Sequence, residues 1–185
     1  MINSTKMNRM LGVLALALML GASSGCGVTR SLFGPKYTVP EKNTPREQAL
    51  IADRELRQAQ QLVDEKNRRE AFEKAILAFQ TVQERFPDDT VYTPAATLME
   101  GDLNAEIERW RRAEVAYRRT IAKYPNIPDV HAGALLGLGE ALYAQNRNAE
   151  GNQVLAQLVE SYGTTEDPVI RTRVRRAESL RDRVR

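Results

Sequence analysis

The sequence predicts an all-α fold, a solenoid of about three helical hairpins closed by one more helix at the C-terminus. Three observations carry that expectation. Good helix formers dominate the composition, and aromatic residues make up only 6% of the 185 residues. After residue 45, apolar residues recur at alternating intervals of three and four, the spacing of one helix face. Several of those positions also return at a fixed period of 38 residues.

The first 45 residues read differently. Lys6 and Arg9 precede an apolar run at 10–20 (MLGVLALALML), and small residues at 21–25 (GASSG) lead into Cys26, the only cysteine. The run is too short for an ordinary membrane span and has the proportions of a signal-peptide core. A single cysteine excludes an intramolecular disulfide. The formal charge of +3 falls to +1 once Lys6 and Arg9 leave with such a leader, so the basic pI is weak evidence for a nucleic-acid partner. Residues 26–45 hold three prolines and no period, which predicts a tether spanning at most roughly 60 Å at about 3.3 Å per residue.

Helical patterning then runs through residues 46–163. Ala49, Ala52, Leu56, Ala59 and Val63 define a first face, and Ala71, Ala75, Phe79, Val82 and Phe86 a second that stops at Pro87. Thr93-Pro94 reads as an N-cap with proline at N1, opening a third helix through Leu98, Met99 and Leu103. A fourth carries Trp110, Ala113, Tyr117, Ile121 and Tyr124 up to Pro125. Asp129 is a candidate cap for a fifth, with Leu135, Leu138 and Leu142, and 145–148 is a polar turn. The sixth has Leu155, Leu158 and Tyr162 and ends at Gly163. Residues 164–185 form a last amphipathic helix, starting near Asp167-Pro168, with Ile170, Val174, Ala177, Leu180 and Val184 on one side.

The period ties these segments together. Ala75, Ala113 and Gly151 stand 38 apart, as do Phe79, Tyr117 and Leu155, then Phe86, Tyr124 and Tyr162, and finally Pro87, Pro125 and Gly163. Ala-x3-aromatic with proline eight residues later, at Ala75/Phe79/Pro87 and Ala113/Tyr117/Pro125, resembles the second helix of the tetratricopeptide repeat. Leu135, Leu138, Gly139 and Leu142 are similar to its first helix, and Gly139 precedes Gly151 by the twelve residues that motif requires. Gly101 holds the same place before Ala113, whereas the first repeat has Val63 there. The resemblance implies stacked helix pairs whose first helices line a concave face, with a terminal helix covering the exposed end.

Small residues ending at Cys26 resemble the lipobox of bacterial lipoproteins, with Ser23 where leucine is usual. That resemblance implies cleavage after Gly25, palmitate-type acylation at Cys26, and, with Gly27 following, sorting to the outer membrane facing the periplasm. The alternative is an ordinary secretory signal and a leftover thiol, which mass spectrometry of the mature chain separates. Lipobox, short tether and repeats together resemble the BamD-like family of outer-membrane assembly lipoproteins, although about three repeats stand here instead of five. The resemblance implies a non-enzymatic scaffold holding envelope proteins in its groove and meeting the bilayer through Cys26. Other envelope roles, with Tol–Pal, peptidoglycan or secretin machinery, stay open.

Nothing in the sequence forms a catalytic constellation. His131 is the only histidine, so a multi-histidine metal site is excluded, and the expectation for it is a first-turn helix position. No phosphate-binding glycine motif occurs, and Gly137 and Gly139 read as packing residues in a leucine-rich helix. Asp88-Asp89 and Glu166-Asp167 read as helix caps. No enzyme, cofactor, metal, nucleic acid or small-molecule substrate is expected. Two basic features remain. From 171 to 185 there are seven arginines against Glu178 and Asp182, so Arg175, Arg176, Arg181 and Arg183 present either a lipid- or partner-binding surface or the solvated side of a capping helix, the second being favoured. Trp110, between Arg109 and Arg111-Arg112, is either an interface anchor or a residue packed between helices.

Overall fold

The structure is a computed structural model that describes residues 37–183. Cys26, the leader and most of the expected tether lie outside the described residues, as do Val184 and Arg185. Within them are seven helices and no strand: α1 Pro45–Gln61, α2 Glu65–Arg85, α3 Tyr92–Glu106, α4 Trp110–Lys123, α5 Pro128–Ala144, α6 Asn148–Tyr162 and α7 Pro168–Arg183.

The helix starts are set by local chemistry, and two of them correct the sequence reading. Thr44 caps α1, its hydroxyl accepting from the Glu47 amide at 3.3 Å, and Asp64 caps α2 through the Asn67 amide at 2.9 Å. The start of α3 is not capped by Thr93. The Asp89 carboxylate accepts from the amides of Val91, Tyr92 and Thr93, which moves the helix start two residues earlier than Thr93-Pro94 implied. At α5 the cap is Ile127 and Pro128 occupies the first position, so Asp129 sits in the first turn as a dipole partner. Asp167 caps α7 through the amides of Val169 and Ile170. Helices α4 and α6 have no side-chain cap; each follows a left-handed residue, Glu108 at φ 59° and Asn146 at φ 60°.

Those two turns are copies of one another at the 38-residue period. The Glu108 and Asn146 amides donate to Ala105 and Tyr143, and the Arg109 and Arg147 amides reach back to Asn104 and Leu142. The third turn in this series is different. Helix α1 ends at Gln61 and α2 begins at Glu65, so Val63 lies in a three-residue link, 95% exposed, instead of on the first helix face. Ala59 is the last residue of α1 that the core takes in.

Consecutive helices pack on each other, and α1, α3, α5 and α7 also touch in succession, while the backbones of α2, α4 and α6 stay apart and meet through long side chains, Arg119 donating to Gln83 and Arg118 facing Glu150. The odd-numbered helices therefore form one layer and the even-numbered ones a second, with α7 in the place of a fourth first helix. The core divides into three clusters along the stack. One is built on Phe72, Phe79 and Val82, the next on Tyr117, Leu138 and Leu142, and the last on Leu135, Leu155, Leu158, Ile170 and Val174. Such a core is that of a solenoid, in which each unit is stabilised by its neighbours.

The sequence reading ran a tether to residue 45, and the part of it among the described residues is docked. Residues 37–44 lie against α1 and α2. Gln48, fully buried, donates to the Pro40 carbonyl at 3.1 Å and accepts from the Lys42 amide at 2.8 Å. Arg85 holds Glu41 and the Lys42 carbonyl, and Val39 packs on the first core cluster. Most of this stretch stays exposed, and these side chains fix it by engaging the Lys42 amide and the Pro40 and Lys42 carbonyls.

Candidate functional site

Every residue singled out for repeat packing has a place in this stack. Ala75, Phe79, Ala113, Tyr117, Leu138, Gly139, Gly151 and Leu155 are all buried. Pro87 and Pro125 are exposed; each follows the C-cap (Phe86, Tyr124) and stops its helix without filling space. The Tyr117 ring lies between α3 and α5. A Cβ on Gly101 would stand 2.5 Å from the ring, and one on Gly137 2.3 Å from it, so both glycines are required by close approach. In the next repeat Leu155 presses on Gly139 in the same way, at 2.4 Å. Gly151 is held by the Tyr143 ring at 2.8 Å and the Gly139 carbonyl at 3.2 Å, which brings α5 and α6 together.

The same tyrosine reaches the surface of the odd-numbered layer. Its hydroxyl donates to Asp102 Oδ1 at 2.8 Å, and its own proton is held more tightly than in free tyrosine by burial and by that carboxylate. Asp102 keeps a solvent-facing side but is hemmed in by its neighbours. Partial desolvation pushes its carboxyl up to about 6, against the pull of Tyr117 and Arg173 and with a push from Glu140. Arg173 also holds Asp129, and Arg176 holds Glu140. Through these pairs the outward stripes of α3 (Ala95, Met99, Asp102, Glu106), α5 (Asp129, Gly133, Leu136, Glu140) and α7 share one surface, to which α3 and α5 bring acids and no lysine or arginine.

The basic residues of α7 separate into two groups. Arg173 and Arg176 are tied to α5, and Arg181 is half-buried beside Tyr143. Arg175 and Arg183 are exposed, but so are Glu178 and Asp182 among them. The apolar stripe Ile170, Val174, Ala177 and Leu180 packs on α5 and α6, so the helix caps the array and its outer face is mixed in charge. His131 is buried in the first turn of α5, 2.8 Å from the Tyr162 hydroxyl, and burial lowers its proton affinity. Among the described residues no cluster of histidine, cysteine and acids fit for a metal ion occurs, and no helix is long and apolar enough to cross a membrane.

Trp110 takes part of both roles weighed for it. It packs half-buried on the second core cluster and at the same time lines an open hollow of about 570 Å³ with Glu108, Arg109, Arg111, Arg112, Gln145 and Arg147. Of these arginines, Arg109 was named from the sequence only as a neighbour of Trp110, and Arg147 not at all. Arg109 reaches Glu73 of α2, and Arg147 binds Glu114 of α4 at 2.6 Å and Glu150 at 2.6 Å, each clamping its turn to the preceding second helix. Their signal was present, since Arg109 and Arg147 keep the 38-residue period. Asp102 also keeps the period, with Glu140 38 residues on, but its partners come from three other helices and no spacing records them.

Stacked helix pairs with an inner layer of first helices define the class of helical-repeat scaffolds, on which other proteins bind. A family model of the tetratricopeptide repeat matches residues 133–165, most of α5 and all of α6. The chain is thus a tetratricopeptide-like solenoid, and its third repeat carries the family pattern most fully. No curated protein matches it by sequence similarity.

Proposed function

We propose that the chain is a lipid-anchored adaptor at the periplasmic side of a bacterial outer membrane, holding an extended or helical segment of an envelope protein along its odd-numbered helices. The observation that supports this reading is the surface shared by α3, α5 and α7, which no described helix covers. Anchoring at Cys26 rests on the lipobox-like residues before it. If Cys26 is acylated, the docking of residues 37–44 leaves only the stretch from Cys26 to Tyr37 free to span, at most about 36 Å. The first repeat then works close to the bilayer. Assembly of outer-membrane proteins is the first process to test, and a link to peptidoglycan or Tol–Pal-type machinery the second.

A photo-crosslinking amino acid at Ala95 or Glu106 of α3, compared with Gln153 or Gln157 of α6, tests the surface in cells. The expected outcome is one crosslinked envelope protein from the α3 positions and none from α6. A β-barrel assembly component supports the first process, a peptidoglycan-associated one the second. Equal crosslinking from both helices, or none from α3, defeats the reading. Cys26→Ser should move the chain from the membrane to the soluble fraction; retention in the membrane removes the anchor.

A further inference from the structure

The second helices are not equivalent on their outer sides. The exposed face of α4 carries Arg111, Arg112, Val115, Arg118, Arg119 and Lys123. At the same register α6 has Ala149, Glu150, Gln153, Ala156, Gln157 and Ser161. Packing does not ask for this charge, because the buried residues of the two helices keep one pattern while the exposed ones diverge. Part of the charge is used internally, with Arg118 on Glu114 and Arg119 on Glu100. Lys123 donates to the Pro87 carbonyl at 3.3 Å and meets no acid. The guanidiniums of Arg111 and Arg112 make no hydrogen bond or ion pair among the described residues, yet they stand side by side on the hollow that Trp110 lines. Val115, one turn on, is 65% exposed.

We infer that this hollow and the adjoining face of α4 form a second binding site, distinct from the odd-helix surface, for an acidic peptide segment of a partner protein that carries an apolar or aromatic side chain. The charge specifies the sign of the occupant: two unpaired guanidiniums and an ammonium against one helix face. The half-buried indole specifies its second component, since tryptophan and arginine together give large contact area and bidentate pairing with carboxylates. A recess of this volume, walled by Gln145 and Arg147 of the next turn, receives discrete side chains, whereas a plane of lipid headgroups meets only its rim. The chain's own residues 27–36 do not suit it, because they carry Arg30 and Lys36 and no acid.

Trp110 is the only tryptophan, so its fluorescence reports on the site directly. The full chain, in an uncharged detergent, is titrated with a short peptide of glutamates around one central phenylalanine. Saturable change in Trp110 emission is expected, with affinity falling about tenfold or more in Arg111→Glu/Arg112→Glu and unchanged in Arg175→Glu on α7. Replacing the peptide's phenylalanine by glutamate is expected to weaken binding several-fold. Both target arginines are exposed and unpaired, so the variant should melt like the parent, which a thermal scan by circular dichroism checks. The proposal is overturned by absent binding, or by binding that the double substitution leaves intact. It is equally overturned if phosphatidylglycerol vesicles bind through Arg111 and Arg112 while the peptide does not, or if the site proves occupied by a second copy of the chain, seen as self-association that the double substitution abolishes.

Discussion

The second and third repeats are built on one register and solve its packing differently. Each has a glycine on its first helix, Gly101 or Gly139, facing the residue sixteen positions on, Tyr117 or Leu155. Each also has a left-handed turn residue before its second helix. The tyrosine is larger than the leucine, and the third repeat's own first helix makes room for it with a further glycine, Gly137. At the same register the second repeat has Met99, which packs against the first core cluster. A repeat therefore does not own its core: the size of one side chain is accommodated by the repeat that follows it.

That comparison yields four tests, the largest effect first. Tyr117→Ala empties a space bounded by α3, α4 and α5 and removes the bond to Asp102, and a loss of about 3–5 kcal/mol in urea unfolding is expected. A loss as small as that of a surface substitution would mean the ring is not central to the junction. Gly137→Ala should cost about 1–3 kcal/mol by overpacking the ring, although alanine favours the helix. In a Tyr117→Leu background, which turns the second repeat into a likeness of the third, the same change should become neutral or stabilising, while Gly101→Ala stays costly. A double-mutant cycle reads the coupling, and additive effects would show that Gly137 does not serve Tyr117.

Asp102→Asn probes the surface side of the junction, where the third repeat has Glu140 paired with Arg176 instead of a tyrosine hydroxyl. Asp102 holds its proton more tightly folded than unfolded, so its contribution to stability falls as pH rises from about 4 to about 6 and the penalty is complete above that. The variant should be more stable than the parent at pH 7 to 8, and the difference should shrink as pH falls through 6 toward 4. A difference that is constant with pH refutes the raised value. The smallest effect is at the turn. Glu108→Asn copies Asn146 into the second repeat and should gain about 0.5–1 kcal/mol, because asparagine tolerates the left-handed region better than glutamate. An unchanged melting temperature would show that the turn carries no strain.

The period and the face spacing were enough to place all seven helix cores, the second-helix stops at Pro87 and Pro125, and the capping role of α7. These depend on residues within one or two turns of each other, or on positions whose equivalence shows as identity at a fixed interval. The α3 start was misread because Asp89 gathers the amides of Val91, Tyr92 and Thr93 ahead of it, while the Thr93 hydroxyl donates to the Phe86 carbonyl instead of capping. Val63 was misread because the 38-residue interval was extended into a repeat whose α1 stops earlier. The surfaces were legible only in part: Trp110 stood out, while the clamps of Arg147 and the position of Asp102 did not.

By itself the sequence determined that this chain is a stack of helical hairpins, since 3.6-residue periodicity and small-residue spacing are local and repeat along the chain. It also determined the charge available to the surface. Only the tertiary structure decided which charges are consumed and which remain. Arg173, Arg176 and Arg147 meet acids from other helices and become part of the scaffold, while Arg111 and Arg112 meet none. The physical reason is distance. An ion pair is made across a few ångströms of space by residues 33 to 44 positions apart, and no pattern along one helix records where its neighbours will place their charges.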